Sequence, residues 1–510
     1  MIPIIEKINE ILMQDVNRKF VKDLETNQWH SKRTINNQIE KIQQLYIENH
    51  LYSGDSIIIG LPNSYRFILF YLAALKSGIT ITSVNSQISK RELGTLLERH
   101  SYQAIILEDE RSDLLQSANQ LLTTFTRIEL NFDFFHGHFL VNLSENSKIC
   151  VQGLTSSSNA LLMYTSGTTG EPKAVGISYE QLLAAVDNIS ASHQLVREDI
   201  TYVCLPLFHI NAQVISLIST ILTDGKLVIG KKFSASHFWG IIESERITWV
   251  SVAPAILTIL LKKAKENQVI NHSLRFIRSA SAPLAPTIAH DFETKFKTIV
   301  IESYGMTEGA SQLCVNPLPP ERHILGSVGK PFGIELKVVD EYDIEQFPNQ
   351  IGEIVVRGKS IIQQYQNNAA SENFYNGWFY TGDSGYLNED GYLFVVGRKK
   401  EMINRGGEKI SPYEVENVIL DHHYVDSVAV IPVKDDVVGQ RAAAFVVLTS
   451  DIDQQLSEVK ALLNQHCHTE LSSFKCPELY FFVDELPVGP TGKVQRQKVI
   501  EKYLSKGASA

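Results

Sequence analysis

Short apolar runs alternate with helix-like segments in two stretches of the chain. Between Asp55 and Asp109 the order is strand, helix, strand, helix, strand, from SIIIGLPNS to AIILED. A second alternation runs from Leu161 to about Glu308, and its apolar runs each end in small or polar residues. Such patterns are typical of helix-covered parallel sheets, which bind ligands at the carboxyl ends of their strands. They predict an α/β protein with two helix-covered, mostly parallel sheets.

The pattern changes after Gly326. Short β-like pieces separated by turn residues predict a small, mostly antiparallel, β-barrel-like subdomain over residues 326–396. Beyond Arg398 the chain carries an α/β pattern of its own. We therefore predict an N-terminal domain of residues 1–396, a hinge at residues 397–400 and a small α+β C-terminal domain of residues 401–510.

Composition excludes some classes of protein. A chain of 510 residues is too long for one ordinary core, so more than one domain is expected. Its formal charge of -10 disfavours binding to a nucleic acid polymer, which requires a basic face. The sequence shows no signal peptide, no membrane-spanning run and no peroxisomal address in the final KGASA. These features predict a cytoplasmic protein.

A glycine-rich loop follows the apolar run ALLM. It reads YTSGTTGEPK, and its small residues can aim several backbone N–H groups, hydroxyls and one ammonium at a single anion. Loops rich in Ser, Thr and Gly are usually plain polar turns, but this density of donors favours a phosphate site. The spacing GxxxxGK[ST] is absent. The donors are Ser166, Gly167, Thr168, Thr169, Gly170 and Lys173.

The loop resembles the signature of the adenylate-forming superfamily, which includes acyl-CoA synthetases, luciferases and nonribosomal adenylation domains. Four further segments match that family in the same order: SYGMTE (303–308), WFYTGD (378–383), GRKKEMINRGGEKISPYEVE (397–416) and PTGKVQR (490–496). The sequences of these motifs are most similar to those of the oxalate–CoA ligase and short-acid CoA ligase branch. The resemblance implies an AMP-binding N-terminal domain and a mobile C-terminal lid.

The resemblance also implies roles for single residues. Tyr304 contacts adenine, Thr307 contacts phosphate, and Glu308 binds Mg2+. Asp383 accepts both ribose hydroxyls, for which a carboxylate's paired oxygens are suited, and Arg398 contacts the ribose. The implied nucleotide- and CoA-binding set is Thr165, Ser166, Gly167, Thr168, Thr169, Gly170, Lys173, Ser281, Ala282, Pro283, Glu302, Ser303, Tyr304, Gly305, Met306, Thr307, Asp383, Arg398, Lys400, Gly406 and Gly407.

A two-step reaction follows from the resemblance. A carboxylate attacks the α-phosphorus of ATP and expels pyrophosphate, and Lys493 bridges the carboxylate and the α-phosphate. The C-terminal domain then rotates about Lys400, so that segment 404–409 faces the active site and the thiol of coenzyme A takes the acyl group. The catalytic residues expected are Lys493, Thr165, Glu308 and His209.

Three segments are expected to line the acyl pocket: residues 206–211, 278–284 and 309–316. His209 is the titratable group among them, although a His beside a Phe is often only a packed ring. The oxalate enzymes have a His three residues after the metal-binding Glu, where this chain has Ser311. This departure leaves the acid open among small dicarboxylic, aliphatic and aryl acids.

Two other functions compete with CoA ligation. A stand-alone adenylation enzyme would load the phosphopantetheine of a carrier protein instead of CoA, but GGEKISP resembles CoA ligases more closely. A non-catalytic nucleotide-binding homologue is the other alternative. Retention of Glu308, Asp383 and Lys493 weighs against it.

Overall fold

The computed structural model describes residues 2–108, 125–142, 153–165, 173–265, 270–367, 371–449, 454–489 and 494–504. Its strands are β1 (Lys19–Asp23), β2 (Gln28–Ser31), β3 (Ser56–Gly60), β4 (Thr80–Ser83), β5 (Ala104–Glu108), β6 (Thr126–Phe132), β7 (Phe135–Val141), β8 (Asn159–Thr165), β9 (Lys173–Ser178), β10 (Ile200–Val203), β11 (Lys226–Ile229), β12 (Trp249–Val252), β13 (Phe276–Ser279), β14 (Val300–Tyr304), β15 (Cys314–Val315), β16 (Lys330–Pro331), β17 (Glu335–Val339), β18 (Gly352–Arg357), β19 (Phe374–Tyr375), β20 (Trp378–Leu387), β21 (Leu393–Arg398), β22 (Ile403–Arg405), β23 (Glu408–Ile410), β24 (Val425–Asp435), β25 (Gly439–Leu448) and β26 (Leu479–Phe482).

The α-helices are α1 (Pro3–Met13), α2 (Lys32–Glu48), α3 (Tyr65–Ser77), α4 (Lys90–Arg99), α5 (Tyr179–Ser192), α6 (Ser219–Leu222), α7 (Phe238–Ser244), α8 (Pro254–Lys262), α9 (Pro286–Phe296), α10 (Pro412–Leu420), α11 (Leu456–Glu470) and α12 (Arg496–Val499). Two π-helical segments, Asn211–Ile218 and Ile500–Leu504, and three short 3-10 turns, Thr307–Gly309, Ser371–Asn373 and Ser473–Lys475, complete the helical structure of the described residues.

The first sheet contains seven of the described strands, in the order β6-β7-β5-β3-β4-β8-β9. Its centre is parallel, as predicted, but β6, β7 and β9 add antiparallel pairs at the two edges. The sheet is therefore mixed rather than mostly parallel. β6 and β7 can pair antiparallel because a short turn joins them, whereas a parallel neighbour needs a long crossover.

The local sequence explains the centre of this sheet. Every residue of β3 is buried, which matches its continuous apolar run. In α3 the Ser64 hydroxyl accepts the N–H of Phe67 and caps the first turn, and Gly78 ends the helix at a φ of 75° that suits glycine. Nearly all of α3 is buried, and its apolar side chains therefore lie on every face of the helix instead of along one stripe.

The second sheet contains nine described strands, in the order β16-β15-β14-β13-β12-β10-β11-β1-β2. The strands from β14 to β1 pair in parallel, as predicted, and β2, β15 and β16 are antiparallel. The carboxyl ends of β13 and β14 lie side by side, because Ser279 is in register with Glu302. Both strands lead into segments that the sequence assigns to the site.

A third sheet, β17-β18-β20-β19 with β21 on β20, is antiparallel throughout its described strands. It corresponds to the predicted β-rich subdomain, although Lys330–Pro331 still pairs with the second sheet and the third begins at Glu335. The fourth sheet, β23-β22-β25-β24 with β26 on β25, begins at Ile403. The chain thus passes from one sheet to the next between Arg398 and Ile403.

Contacts between the C-terminal unit and the rest of the chain lie beside that passage. The Ser411 hydroxyl donates to the Val396 carbonyl, and the Thr287 hydroxyl donates to Asp421 at 2.5 Å. Within the described residues, no helix is both long enough and apolar enough to cross a membrane. The predicted fold class, a two-sheet α/β domain followed by a β-rich subdomain and a small C-terminal domain, is confirmed apart from the mixed edges of the first sheet.

Candidate active site

A cavity of about 230 Å³ lies at the carboxyl ends of β13 and β14. We call it the Tyr304 cavity. The third sheet contributes Asp383 and Arg398 to its wall, and α10 contributes Tyr413 and Asn417. Nine residues predicted from the sequence line it: Ser281, Ala282, Pro283, Glu302, Ser303, Tyr304, Gly305, Asp383 and Arg398. Residues far apart in the chain therefore meet in one place.

Asp383 is the centre of the polar groups in this cavity. Arg398 is its neighbour across the β20–β21 pair, and the two side chains form an ion pair at 2.7 Å. The Tyr304 hydroxyl donates to the other carboxylate oxygen at 2.5 Å. Burial, and next the Asp383 charge, raise the pKa of Tyr304, so the phenol stays a hydrogen-bond donor. Asp383 is a fixed anion that presents oxygen acceptors beside an aromatic ring.

Glu308 and Lys173 occupy a neighbouring corner and share one partner. Tyr365 donates its hydroxyl to the Glu308 carboxylate at 2.9 Å, and the Lys173 ammonium lies 5.0 Å from the centre of the same ring. Burial lowers the pKa of Lys173, while the Glu308 charge acts in the opposite direction. Lys173 also donates to Asn373 at 3.3 Å. The sequence placed Glu308 and Lys173 in separate motifs, and Tyr365 is a contact that no motif indicated.

Thr165 ends β8 and is in register with Lys173, which begins β9. The other predicted loop residues, Ser166, Gly167, Thr168, Thr169 and Gly170, lie outside the described residues, as does Lys493. The strand pair places the two ends of the loop together at an edge of the first sheet, beside the Glu308 corner.

A second cavity, of about 320 Å³, shares Ser281 with the first. We call it the His209 cavity. Pro206, His209 and Asn211, from the segment predicted to line the acyl pocket, line this cavity. Burial lowers the pKa of His209 to about 4, so its imidazole is neutral near pH 7. The two cavities with a common wall can hold two different parts of one reacting complex.

Some predicted residues lie away from both cavities. Segment 309–316 is buried and adds nothing to either lining, because its Ser311 carbonyl packs directly on Gly305, where a Cβ would lie 1.5 Å from that oxygen. Met306 and Thr307 form the turn after β14 and are absent from the linings. Lys400 is exposed, and so are Gly406 and Gly407 at the tip of the β22–β23 hairpin.

Tyr413 and Asn417 were not predicted as site residues. Tyr413 lies against Gly397, where an added Cβ would be 3.0 Å from its ring, and both residues line the Tyr304 cavity from α10. Tyr413 belongs to the quoted PYEVE stretch, so its segment was identified although its position was not. The site is therefore completed by the C-terminal unit.

The carboxylate of Glu308 is suited to bind a divalent cation whose other ligands are phosphate oxygens and water. Within the described residues, no cluster of three or more His, Cys, Asp or Glu side chains could hold a metal alone. Mg2+ usually takes one or two carboxylates and completes its shell with phosphate oxygens and water. A single buried carboxylate, held by Tyr365 in the same corner as Lys173, matches that pattern.

Glu302 gives a pH-dependent prediction. Burial raises the pKa of this carboxyl from 4.5 to about 8, against the opposing effect of the Gly326 N–H donor at 3.0 Å. The folded chain therefore holds the proton more tightly than the unfolded chain, and the free energy of unfolding falls as pH rises from about 4.5 to about 8. Glu302→Gln keeps the neutral form at every pH. We expect its thermal midpoint to match the native one near pH 5 and to exceed it by a few degrees near pH 8.

The control for this experiment is Glu321→Gln, at an exposed position of the loop that contains Gly326. It should leave the midpoint unchanged at both pH values. A Glu302→Gln midpoint that differs from the native one by the same amount at pH 5 and pH 8 would contradict the raised pKa.

The fold and the two cavities define an α/β protein with a polar site at the carboxyl ends of its strands, which its C-terminal unit completes. Comparison with protein families names the family. Residues 12–366 match the model of the AMP-binding enzymes, and residues 414–493 match that of the AMP-binding enzyme C-terminal domain. The chain belongs to the family of AMP-binding enzymes, which confirms the membership predicted from its motifs.

Individual relatives cover nearly the whole chain. An oxalate–CoA ligase of Arabidopsis thaliana is 35% identical over 89% of this chain and 89% of its own. A sulfoacetate–CoA ligase of Cupriavidus necator is 32% identical over 89% of each chain. Among solved structures, ATP-bound MatB from Rhodopseudomonas palustris superposes with a TM-score of 0.86 at 22% identity, over 98% of this chain and 99% of its own. That last likeness supports the fold alone.

Proposed function

We propose that the protein is an AMP-forming acid–CoA ligase, which uses ATP to convert a carboxylic acid to an acyl-AMP and then transfers the acyl group to coenzyme A. One observation carries the proposal. Asp383, bridged to Tyr304 and Arg398, lies in a cavity next to the corner that holds Glu308 and Lys173. These groups suit the base, ribose and phosphates of one nucleotide.

In the first step the chain's task is to bind and orient ATP and the acid. Asp383 and Arg398 hold the ribose, Tyr304 lies against the base, and the loop from Thr165 to Lys173 donates to the phosphates. Glu308 would hold Mg2+, which supplies positive charge to the phosphates when bound. The carboxylate of the acid substrate then attacks the α-phosphorus of ATP and expels pyrophosphate. Negative charge develops around that phosphorus, so a fixed positive charge beside it lowers the barrier. We assign this positive charge to the ammonium of Lys493.

In the second step a thiol must reach the acyl carbonyl. We propose that the C-terminal domain rotates about Lys400 and brings the β22–β23 hairpin to the site. Gly406 and Gly407, at φ of 60° and 99°, have open space around them, so a pantetheine arm could pass close to the backbone there. In the present arrangement the tip of the hairpin is exposed, and α10 lines the Tyr304 cavity instead.

Coenzyme A is the thiol that the relatives favour. Both of the relatives described above are named as CoA ligases, whereas the carrier-protein alternative has no such support. Their acids, oxalate and sulfoacetate, each carry a second anionic group beside the reacting carboxylate. An acid of that kind is one candidate here, along with the aliphatic and aryl acids that the sequence leaves open.

The test is a panel of acids assayed for ATP–pyrophosphate exchange with the purified full-length protein. We expect exchange with at least one acid, and release of AMP with formation of the acyl-CoA when CoA is added. Thioester formation on a phosphopantetheinylated carrier protein, with none on free CoA, would favour the alternative thiol. Failure of every acid to support exchange would overturn the proposed function.

A further inference from the structure

Arg278 is a fully buried charge without an anionic partner among the described residues. It lies in β13, and only 1% of its surface is exposed. Its guanidinium donates to neutral oxygens: the Asn211 amide at 3.3 Å, the Ser251 hydroxyl at 3.1 Å and the Ser303 hydroxyl at 2.7 Å. Its Nε has no hydrogen-bond partner. A buried charge is normally paired, because leaving water is costly.

The charge of Arg278 changes the pKa of a neighbouring side chain. Burial lowers the pKa of Arg278 to about 9, which still leaves the side chain positive near pH 7. Burial, and next the Arg278 charge, lower the pKa of the nearby His193 to about 3. A carboxylate beside Arg278 would offset this effect. The balancing anion is therefore missing from the described part of the chain.

Two of the three oxygen partners of Arg278 stand in cavity walls. Ser303 lines the Tyr304 cavity, and Asn211 lines the His209 cavity. The Asn211 carbonyl accepts from Arg278 and from Ser251, which turns its amide N–H toward Ser281 at 3.1 Å. A carbonyl bonded to a cation polarises the amide and strengthens its N–H donors. Arg278 thus acts on the cavity through Asn211.

The His209 cavity is electropositive. Lys231 and Lys232 line it, although Lys231 also pairs with Glu25 at 3.3 Å, and no carboxylate is among the described lining residues. The Nε2 atom of His209 is buried without a hydrogen-bond partner. Ser281, shared by both cavities, holds a strained φ of 78° that places its hydroxyl in their common wall. Two lysines and one unpartnered imidazole nitrogen thus belong to the same cavity.

We propose that the acid carries a second anionic group, which binds in the His209 cavity at Asn211 and Ser281, and that Arg278 is the positioning residue whose charge balances it. The inference rests on the proposed ligase function and names its substrate class. The acid is favoured over a phosphate of CoA because Ser281 also borders the cavity where the acyl-phosphate bond would form.

The experiment compares dicarboxylates with their amide isosteres in ATP–pyrophosphate exchange: oxalate with oxamate, malonate with malonamate, and succinate with succinamate. The native protein should use at least one diacid more than tenfold better than its amide. Arg278→Met should raise the KM of that diacid about a hundredfold, the size found when one partner of a buried charge pair is removed, and should change the KM values of the amide, ATP and CoA at least tenfold less. Arg278→Lys should restore part of the diacid preference.

A second variant keeps the test valid if Arg278→Met folds poorly. Asn211→Asp puts a carboxylate beside the guanidinium and forms an ion pair in place of the amide contact, so the fold should be retained while the diacid loses its partner. We expect a similar rise in the diacid KM. An unchanged diacid KM in Asn211→Asp would overturn the proposal, as would Arg278→Met lowering kcat equally for every acid.

The remaining outcomes separate this inference from the ligase proposal. A rise in the KM of CoA instead of the acid would assign the anion site to CoA and overturn the inference. Exchange with monocarboxylates or amides at least as good as with every diacid would also overturn it, and the ligase proposal would stand. Absence of exchange with all acids would overturn the ligase proposal itself.

Discussion

Lys493→Ala is expected to abolish acyl-AMP formation and to spare thioester formation from preformed acyl-AMP. In the first step an ammonium would stabilise the charge that develops on the α-phosphate. In the second step that position must be vacated for the thiol, so the lysine is not needed. Removing one such stabilising group commonly reduces kcat by about 10² to 10³. The two half-reactions are measured separately, by ATP–pyrophosphate exchange and by CoA-dependent consumption of synthetic acyl-AMP.

The matched control is Lys498→Ala, which removes an exposed lysine from α12, a few residues further along the chain. Both half-reactions should proceed at the native rate in this variant. If Lys493→Ala slowed both half-reactions by the same factor, the assignment of this lysine to the first step alone would be wrong.

Asp383→Asn is expected to raise the KM of ATP by about ten- to a hundredfold, with a smaller effect on the KM of CoA. The amide has one acceptor oxygen in place of two, so it cannot serve both ribose hydroxyls, and it leaves Arg398 without its ion pair at 2.7 Å. A hydrogen bond to a charged group contributes about 1.5–3 kcal/mol, which corresponds to that range. Initial rates at varied ATP and saturating acid provide the measurement.

Asp390→Asn is the control, because Asp390 is exposed in the turn that joins β20 to β21, the strands that carry Asp383 and Arg398. Its KM for ATP should equal the native value. A native KM in Asp383→Asn would mean that the nucleotide binds elsewhere. A thermal midpoint near the native one shows that the change in KM does not arise from unfolding.

The parallel centres of the first and second sheets were predictable because those strands are buried on both faces. A run such as SIIIG has to be continuously apolar in that position, and it can be recognised without knowledge of its neighbours. β1 and β2 could not be recognised in this way. Lys22 is buried in β1 only because Glu245, far along the chain, pairs with it at 2.6 Å. The presence of a charged residue in a strand does not indicate whether a distant residue will pair with it.

Site residues that belong to a sequence motif were predictable, whereas site residues defined only by contacts in the folded chain were not. Tyr304, Glu308, Asp383 and Arg398 stand in segments with a family pattern. The structure brings three of them, Tyr304, Asp383 and Arg398, into contact. Arg278 differs because its partners Asn211, Ser251 and Ser303 come from three separate segments. Hydrogen bonding across such distances depends on strand order in the second sheet. No spacing within the sequence encodes that order.

The position of Tyr413 and Asn417 on the cavity wall has a kinetic consequence. A nucleotide touched by both domains is held most tightly when they are closed on it, so binding energy and domain closure become a single linked equilibrium. The rotation proposed before thioester formation would then have to withdraw α10 from the bound nucleotide. A turnover limited by that movement would respond to the viscosity of the medium.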